Sequence, residues 1–246
     1  MSRLPLALGI CALALCTAAR AEEKKYTMAD LEALAKSESW GELMPHLEDI
    51  PPAQRNQKWQ AVVERCATGS IKGFKKERNP LAALVYADGL TKRYKFLKKS
   101  KAFMAIRADA GLKGFTACFE ERYGACDERL LPFVEEDEAN FDLAVSAAQL
   151  MMRNAHHYFA LPFYKLGWDR GKAKVCAAKR LGEAVIAGLS LPDNDKKLPM
   201  ALALAESCFA QLKDVLLKGS FSDKRYKTRV CPILKRKAPK KDQCGS

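Results

Sequence analysis

Apolar side chains recur along this chain at intervals of three and four residues, and nowhere in the strict alternation with β-branched residues that marks a half-buried strand. Trp40, Leu43, Met44 and Leu47 stand at i, i+3, i+4 and i+7, and Trp59, Val62, Val63 and Cys66 repeat the spacing. Phe141, Ala144, Val145, Ala148, Met151 and Met152 form a third stripe, and Leu202, Ala205, Phe209, Leu212 and Leu216 a fourth. Punctuation agrees with helices. Thr27…Asp30 and Ser39…Glu42 read as capping boxes, Asp127 and Asp137 as caps, and Pro52 and Pro80 as first-turn prolines. Gly69 and Gly89 mark ends, and Gly111 and Gly114 weaken a helix expected from about residue 100 to 123. The last two helices are expected over 172–189 and 195–218. The pattern predicts an all-α protein: an irregular helical bundle or an α-solenoid-like stack of helical hairpins. Similar segments start near 79, 100, 141, 174 and 200, and these unequal steps exclude a fixed repeat.

The first residues read as a secretory signal peptide. Arg3 precedes an apolar run from Leu4 to Cys16, and Ala19-Arg20-Ala21 supplies a small-x-small cleavage pattern before polar Glu22 to Lys25. The run falls short of the roughly 20 residues that span a bilayer. Cleavage after Ala21 predicts a chain of residues 22–246, periplasmic or extracellular, with no transmembrane segment. The expected organisation is a leader (1–21), a helical domain (22–218) with a break near 69–79 or 124–137, and a basic C-terminal tail (219–246).

An oxidising compartment changes how cysteines are read. Of nine, Cys11 and Cys16 leave with the leader, and the seven that remain allow three disulfides and one odd thiol. Cys118 and Cys126 flank a helix break at Tyr123-Gly124. Cys176 and Cys208 are equidistant from Pro192, so an antiparallel hairpin would bring them level, although Cys176 lies about 100° around a helix from apolar Val175. Cys231 and Cys244 bracket the basic tail. Cys66 is left over as a buried small hydrophobe. No C-x-x-C occurs, so neither a thioredoxin-type motif nor a zinc knuckle is expected.

The formal charge of +13 is concentrated. Residues 72–101 carry ten Lys/Arg against two Asp/Glu, and residues 219–246 carry nine against two. The remainder of the chain beyond the leader is slightly acidic. Concentrated positive charge attracts anionic partners. In the first segment Lys92, Arg93, Lys95, Lys98 and Lys99 interleave with Tyr94, Phe96 and Leu97, a mixture suited either to an anionic surface or to an ordinary helix whose apolar residues face a core. In the second, Lys224, Arg225, Lys235, Arg236 and Lys237 stand among few apolar residues. These ten are the candidate anion contacts. The expected partner is an envelope protein, an anionic polymer or a lipid surface, while secretion disfavours nucleic acid.

Motifs that carry chemistry are sparse. G-x-S-x-G and a phosphate-binding glycine loop are both missing from the sequence. Of three histidines, His46 reads as a surface or cap residue. His156 and His157 are adjacent, so on a helix they diverge by about 100° and cannot form an i, i+4 metal pair. They sit beside Tyr158, Phe159, Phe163, Tyr164 and Trp168, which read as core packing before ligand groove. Glu135 to Glu138 read as acids favoured before a helix, and Asp193 to Asp195 as a turn plus cap. No metal or cofactor is indicated. The expectation is a non-catalytic helical binding or scaffolding protein acting through its basic segments. The alternative is a secreted hydrolase with a dispersed site near His156 and His157.

Overall fold

Thr27 opens the first helix as its spacing demands: the Asp30 amide donates to the Thr27 hydroxyl, and the Thr27 amide donates back to the Asp30 carboxylate at 2.8 Å. In this computed structural model residues 25–76, 79–121, 126–154, 157–239 and 244 are described. The leader, the Tyr123-Gly124 break, His156, Lys240 and Lys241 lie outside them, as does the Asp127 side chain.

The described residues form twelve α-helices and no strand. In chain order these are α1 (Met28–Lys36), α2 (Trp40–His46), α3 (Gln57–Lys76), α4 (Pro80–Arg93), α5 (Lys101–Glu120) and α6 (Cys126–Glu135). They continue with α7 (Phe141–Asn154), α8 (Leu161–Gly171), α9 (Leu181–Leu189), α10 (Leu198–Ser207), α11 (Phe209–Leu217) and α12 (Lys224–Lys237). Neighbours in sequence pack as antiparallel pairs, most extensively α4 on α5, α7 on α8 and α9 on α10. The result is an all-α, disulfide-stapled bundle.

Several local expectations are corrected. Ser39 is the N-cap of α2 but forms no capping box: its hydroxyl meets Ser37 at 3.0 Å, while Glu42 accepts from the Tyr26 hydroxyl. Asn140, not Asp137, caps α7, its side chain accepting from the Leu143 amide at 2.9 Å while Asp137 holds the Asn140 amide group. The expected helix 172–189 is a 3-10 turn (Lys172–Ala177) followed by α9, with Arg180 in the left-handed region at φ 64° between them. The expected helix 195–218 divides at Cys208, whose backbone leaves the helical region. Gly111 and Gly114 do not interrupt α5. A Cβ on Gly111 would stand 2.0 Å from the Phe133 ring, and one on Gly114 would stand 2.8 Å from the Pro80 carbonyl, so both permit close helix approach.

Two hydrophobic clusters form the core. One is built from α1 to α5 around Leu31, Leu43, Leu47, Trp59, Val63 and Phe103. The other runs from α4 to α12 around Phe133, Leu143, Met151, Tyr164, Val185 and Leu234. The boundary passes through the α4–α5 hairpin: Ala83 and Ala87 face the first cluster and Leu84 the second, while Phe103 and Phe115 of α5 divide the same way.

All three expected disulfides are present, with Cα–Cα distances of 6.0 Å for Cys118–Cys126, 5.1 Å for Cys176–Cys208 and 5.6 Å for Cys231–Cys244. The angular objection to Cys176 does not apply, because a 3-10 turn buries both it and Val175. Cys66 is free and buried, and burial pushes its thiol up to about 11, far from a reactive thiolate.

Acids at the end of α2 tie the first cluster together. Glu48 accepts from the Tyr94 hydroxyl at 2.9 Å and pairs with Arg55 at 2.6 Å and Arg93 at 3.1 Å. Burial opposes its ionisation, but the Tyr94 hydroxyl and the two guanidinium groups outweigh it and hold the carboxyl below its ordinary value. The Tyr26 amide and His46 do the same for Asp49. A depressed folded-state pKa contributes stability above the ordinary carboxylate range, about pH 4.3 for Glu, which is lost as pH falls through the folded value. Glu48→Gln is therefore expected to lower the thermal midpoint at pH 7 and to flatten its decline toward pH 3. Parallel curves for the variant and the parent would contradict this.

Candidate functional site

The basic residues from Lys224 to Lys237 form an amphipathic helix, not a solvated tail. Asp223 caps α12, accepting from the Arg225 and Tyr226 amides at 2.8 and 3.3 Å. The Ser190 hydroxyl and these amides hold its carboxyl below the usual range. Tyr226, Val230, Ile233 and Leu234 are buried in the second cluster, so the segment has an apolar face after all. The Tyr226 hydroxyl donates to the Leu216 carbonyl at 2.6 Å, and burial pushes its pKa up to about 12. Arg229 is 10% exposed and ties α12 to the α9–α10 turn through the Leu189 and Leu191 carbonyls and Asp193. Arg236 pairs with Glu206.

Five cations of α12 are exposed: Lys224, Arg225 and Lys235 on the outer face, Lys227 at its margin and Lys237 in the last turn; all but Arg225, which lies beside the Asp223 carboxylate, have no acidic partner among the described residues. The helix contains no acidic residue. Its 14 residues span about 21 Å, and the helical repeat brings Lys224 and Lys235 within about 20° of each other around the axis. Asp193, Asp223, Lys224, Arg225, Thr228 and Arg229 border a cleft of about 490 Å³ at its N-terminal end. The arrangement is a cationic ridge docked on a core and tied from mid-helix by Cys231–Cys244.

The first basic segment is arranged differently. Lys92 pairs with Asp88 at 2.8 Å, Arg93 with Glu48 at 3.1 Å and Lys98 with Glu136 at 3.7 Å. Tyr94 and Leu97 are buried, and Phe96 stands 5.8 Å from the Trp59 ring, so the interleaved apolar residues face the core. Only Lys95 and Lys99 of its candidates are exposed without an acidic partner among the described residues.

His157 is half-buried, with Nε2 3.2 Å from Arg180 Nη2 and Nδ1 3.9 Å from Glu183. Among the described residues no hydroxyl or thiol bonds to it. Phe163 and Tyr164 are buried, the Tyr164 hydroxyl donates to the Lys179 carbonyl at 2.7 Å, and Lys197 lies over the Tyr158 and Phe159 rings. The cluster is thus largely packing. His46 stacks on Tyr26 at 3.7 Å and meets Asp49 at 2.9 Å. Among the described residues no group of three His, Cys, Asp or Glu side chains can hold a metal, and no helix is long and apolar enough to cross a membrane.

Two features had no sequence signal of their own. Arg107 is fully buried within α5, its guanidinium 2.7 Å from Glu136, 3.6 Å from Asp88 and 3.9 Å over the Phe133 ring, with Nε lacking a partner. A cavity of about 620 Å³ opens between the α1–α2 turn and α3, bordered by Glu38, Trp40, Arg65, Thr68, Lys72 and the glycines at 69 and 73. No protein-family model, no curated protein and no solved structure matches this chain.

Proposed function

We propose that this protein is a secreted, non-catalytic binding or scaffolding module that holds an anionic polymer of the cell envelope against the outer face of α12. The observation that carries the reading is the set of five exposed cations on α12, four of them without acidic partners among the described residues, on a helix whose other face is anchored in the core. Such a ridge presents its charges without first ordering a flexible tail, which lowers the entropic cost of binding. Three disulfides suit an oxidising compartment, in keeping with the leader. The hydrolase alternative gains no support from His157, whose ring meets Arg180 and Glu183.

Replacing Lys224, Arg225, Lys227, Lys235 and Lys237 together by Gln is expected to weaken binding to a carboxylated or sulfated polysaccharide about a hundredfold at low salt. Exposed charge contacts contribute about 0.5 kcal/mol or more each, so five of them supply the required 2–3 kcal/mol. The thermal midpoint should not move, since none of the five is buried. Neutralising Lys95 and Lys99 serves as the control and should cost less than threefold. Equal losses from the two sets would contradict the assignment to α12.

A further inference from the structure

We propose that the cavity between the α1–α2 turn and α3 is a binding site for an acidic sugar, separate from the α12 ridge. Three departures from local helix chemistry meet at this one place. Glu38 occupies the position after the α1 C-cap, at φ 58°, with the Ser39 amide donating back to the Leu34 carbonyl at 3.0 Å. That closing motif ordinarily takes glycine, because a Cβ is strained there. The chain instead places a carboxylate at the cavity rim. Gly73 lies within α3, where alanine would favour the helix, yet a Cβ there would meet nothing within 4 Å. Gly41 and Gly89 are similarly open, so what distinguishes Gly73 is that its missing side chain enlarges the cavity. Trp40 is only half-buried: its indole lies on Gly69, where a Cβ would stand 2.2 Å from Cε2, and the ring lines the cavity.

The lining specifies the ligand class. An aromatic ring provides a platform for the C–H face of a pyranose. Thr68 donates its hydroxyl proton to the Glu64 and Arg65 carbonyls, which leaves its oxygen as an acceptor, and Glu38 accepts further hydroxyl protons. Arg65 spends one donor on the Ala35 carbonyl at 3.1 Å and retains the others, and Lys72 is exposed with no acidic partner among the described residues. Two cations against one carboxylate leave the site net positive. A sugar carrying a carboxylate or sulfate satisfies the ring, the acceptors and the cations together, whereas a bare anion leaves Trp40 and Glu38 unused. The volume lies within the range of small-molecule sites.

The test is calorimetric titration of the purified protein with trigalacturonate, free galacturonate, maltotriose and inorganic phosphate. Trigalacturonate should saturate one site, and maltotriose should bind at least tenfold more weakly. Galacturonate equal to trigalacturonate identifies a single residue as the ligand, and a tenfold gain for the trimer identifies a chain segment. Gly73→Phe fills the cavity from an open helix surface and should abolish binding with an unchanged circular dichroism spectrum. Lys72→Gln should weaken binding at least fivefold. Glu38→Gly should raise the thermal midpoint while weakening binding, an outcome that a merely structural Glu38 would not give. The five-site α12 variant should bind trigalacturonate as the parent does, which keeps this site distinct from the ridge. The proposal is overturned by absence of saturable sugar binding, by binding that survives Gly73→Phe or is lost in the α12 variant, or by phosphate competing as well as the sugar.

Discussion

Arg107→Ala is expected to destabilise the protein by about 3 kcal/mol, read from the denaturant midpoint at constant m-value. Arg107 is fully buried where α4, α5 and α6 meet, and so stands at the seam between the two hydrophobic clusters. Burial lowers its pKa, and the Glu136 and Asp88 carboxylates oppose that shift. Removing one partner of a buried pair costs about 3–5 kcal/mol, because the other charge is left without compensation. Here the carboxylates keep 19% and 30% exposure, and water takes up part of the loss, which places the expected value at the lower end. The alanine also vacates the guanidinium position 3.9 Å over Phe133 and removes the donor to the Phe133 carbonyl. Arg107→Met retains the stem and most of the volume but removes the same ion pairs, so its loss should be smaller than that of alanine only by the packing and should stay above half of it. A loss below 1 kcal/mol for Arg107→Ala, or a loss for Arg107→Met less than half that for Arg107→Ala, would show that the ion pairs do not hold the seam.

The second large effect is expected from the staple between the 3-10 turn before α9 and the α10–α11 junction. Cys176 and Cys208 are 32 residues apart, and closing a loop of that length contributes about 4 kcal/mol in the chain-entropy model. The same model assigns about 3 kcal/mol to Cys231–Cys244, separated by 13, and about 2.5 kcal/mol to Cys118–Cys126, separated by 8. Replacing each pair by alanine and measuring the denaturant midpoint should reproduce that order. A Cys231/Cys244 variant less stable than the Cys176/Cys208 variant would contradict it and would mean that the α12 anchor depends on its disulfide more than on Tyr226, Val230, Ile233 and Leu234.

Much of this architecture was legible where a single local rule operates. Helical spacing around Trp40, Trp59 and Phe141 was sufficient for the fold class, and symmetry about Pro192 for the central disulfide. Expectations went astray where tertiary contact overrides local pattern. The stripe through Phe209 and Leu212 ran on past Cys208, because periodicity does not register a backbone kink at a disulfide. Gly111 and Gly114 looked like weaknesses because their value lies in Phe133 and Pro80, elsewhere in the chain. The apolar face of α12 was obscured by the density of Lys and Arg around four core residues. Lys92, Arg93 and Lys98 seemed available until their partners Asp88, Glu48 and Glu136 came into place from other elements. Arg107 and the Trp40 cavity depend wholly on such distant pairings.

The ionic-strength dependence of polysaccharide affinity addresses the α12 ridge most directly. Each cation that contacts the polymer releases a counterion, so the logarithm of affinity falls linearly with the logarithm of salt at a slope set by the number of contacts. The parent should show a steep slope, and the five-site α12 variant a slope shallower by several units together with its weaker binding. Identical slopes, with affinity lost or retained, would mean that the ridge is not where the polymer binds.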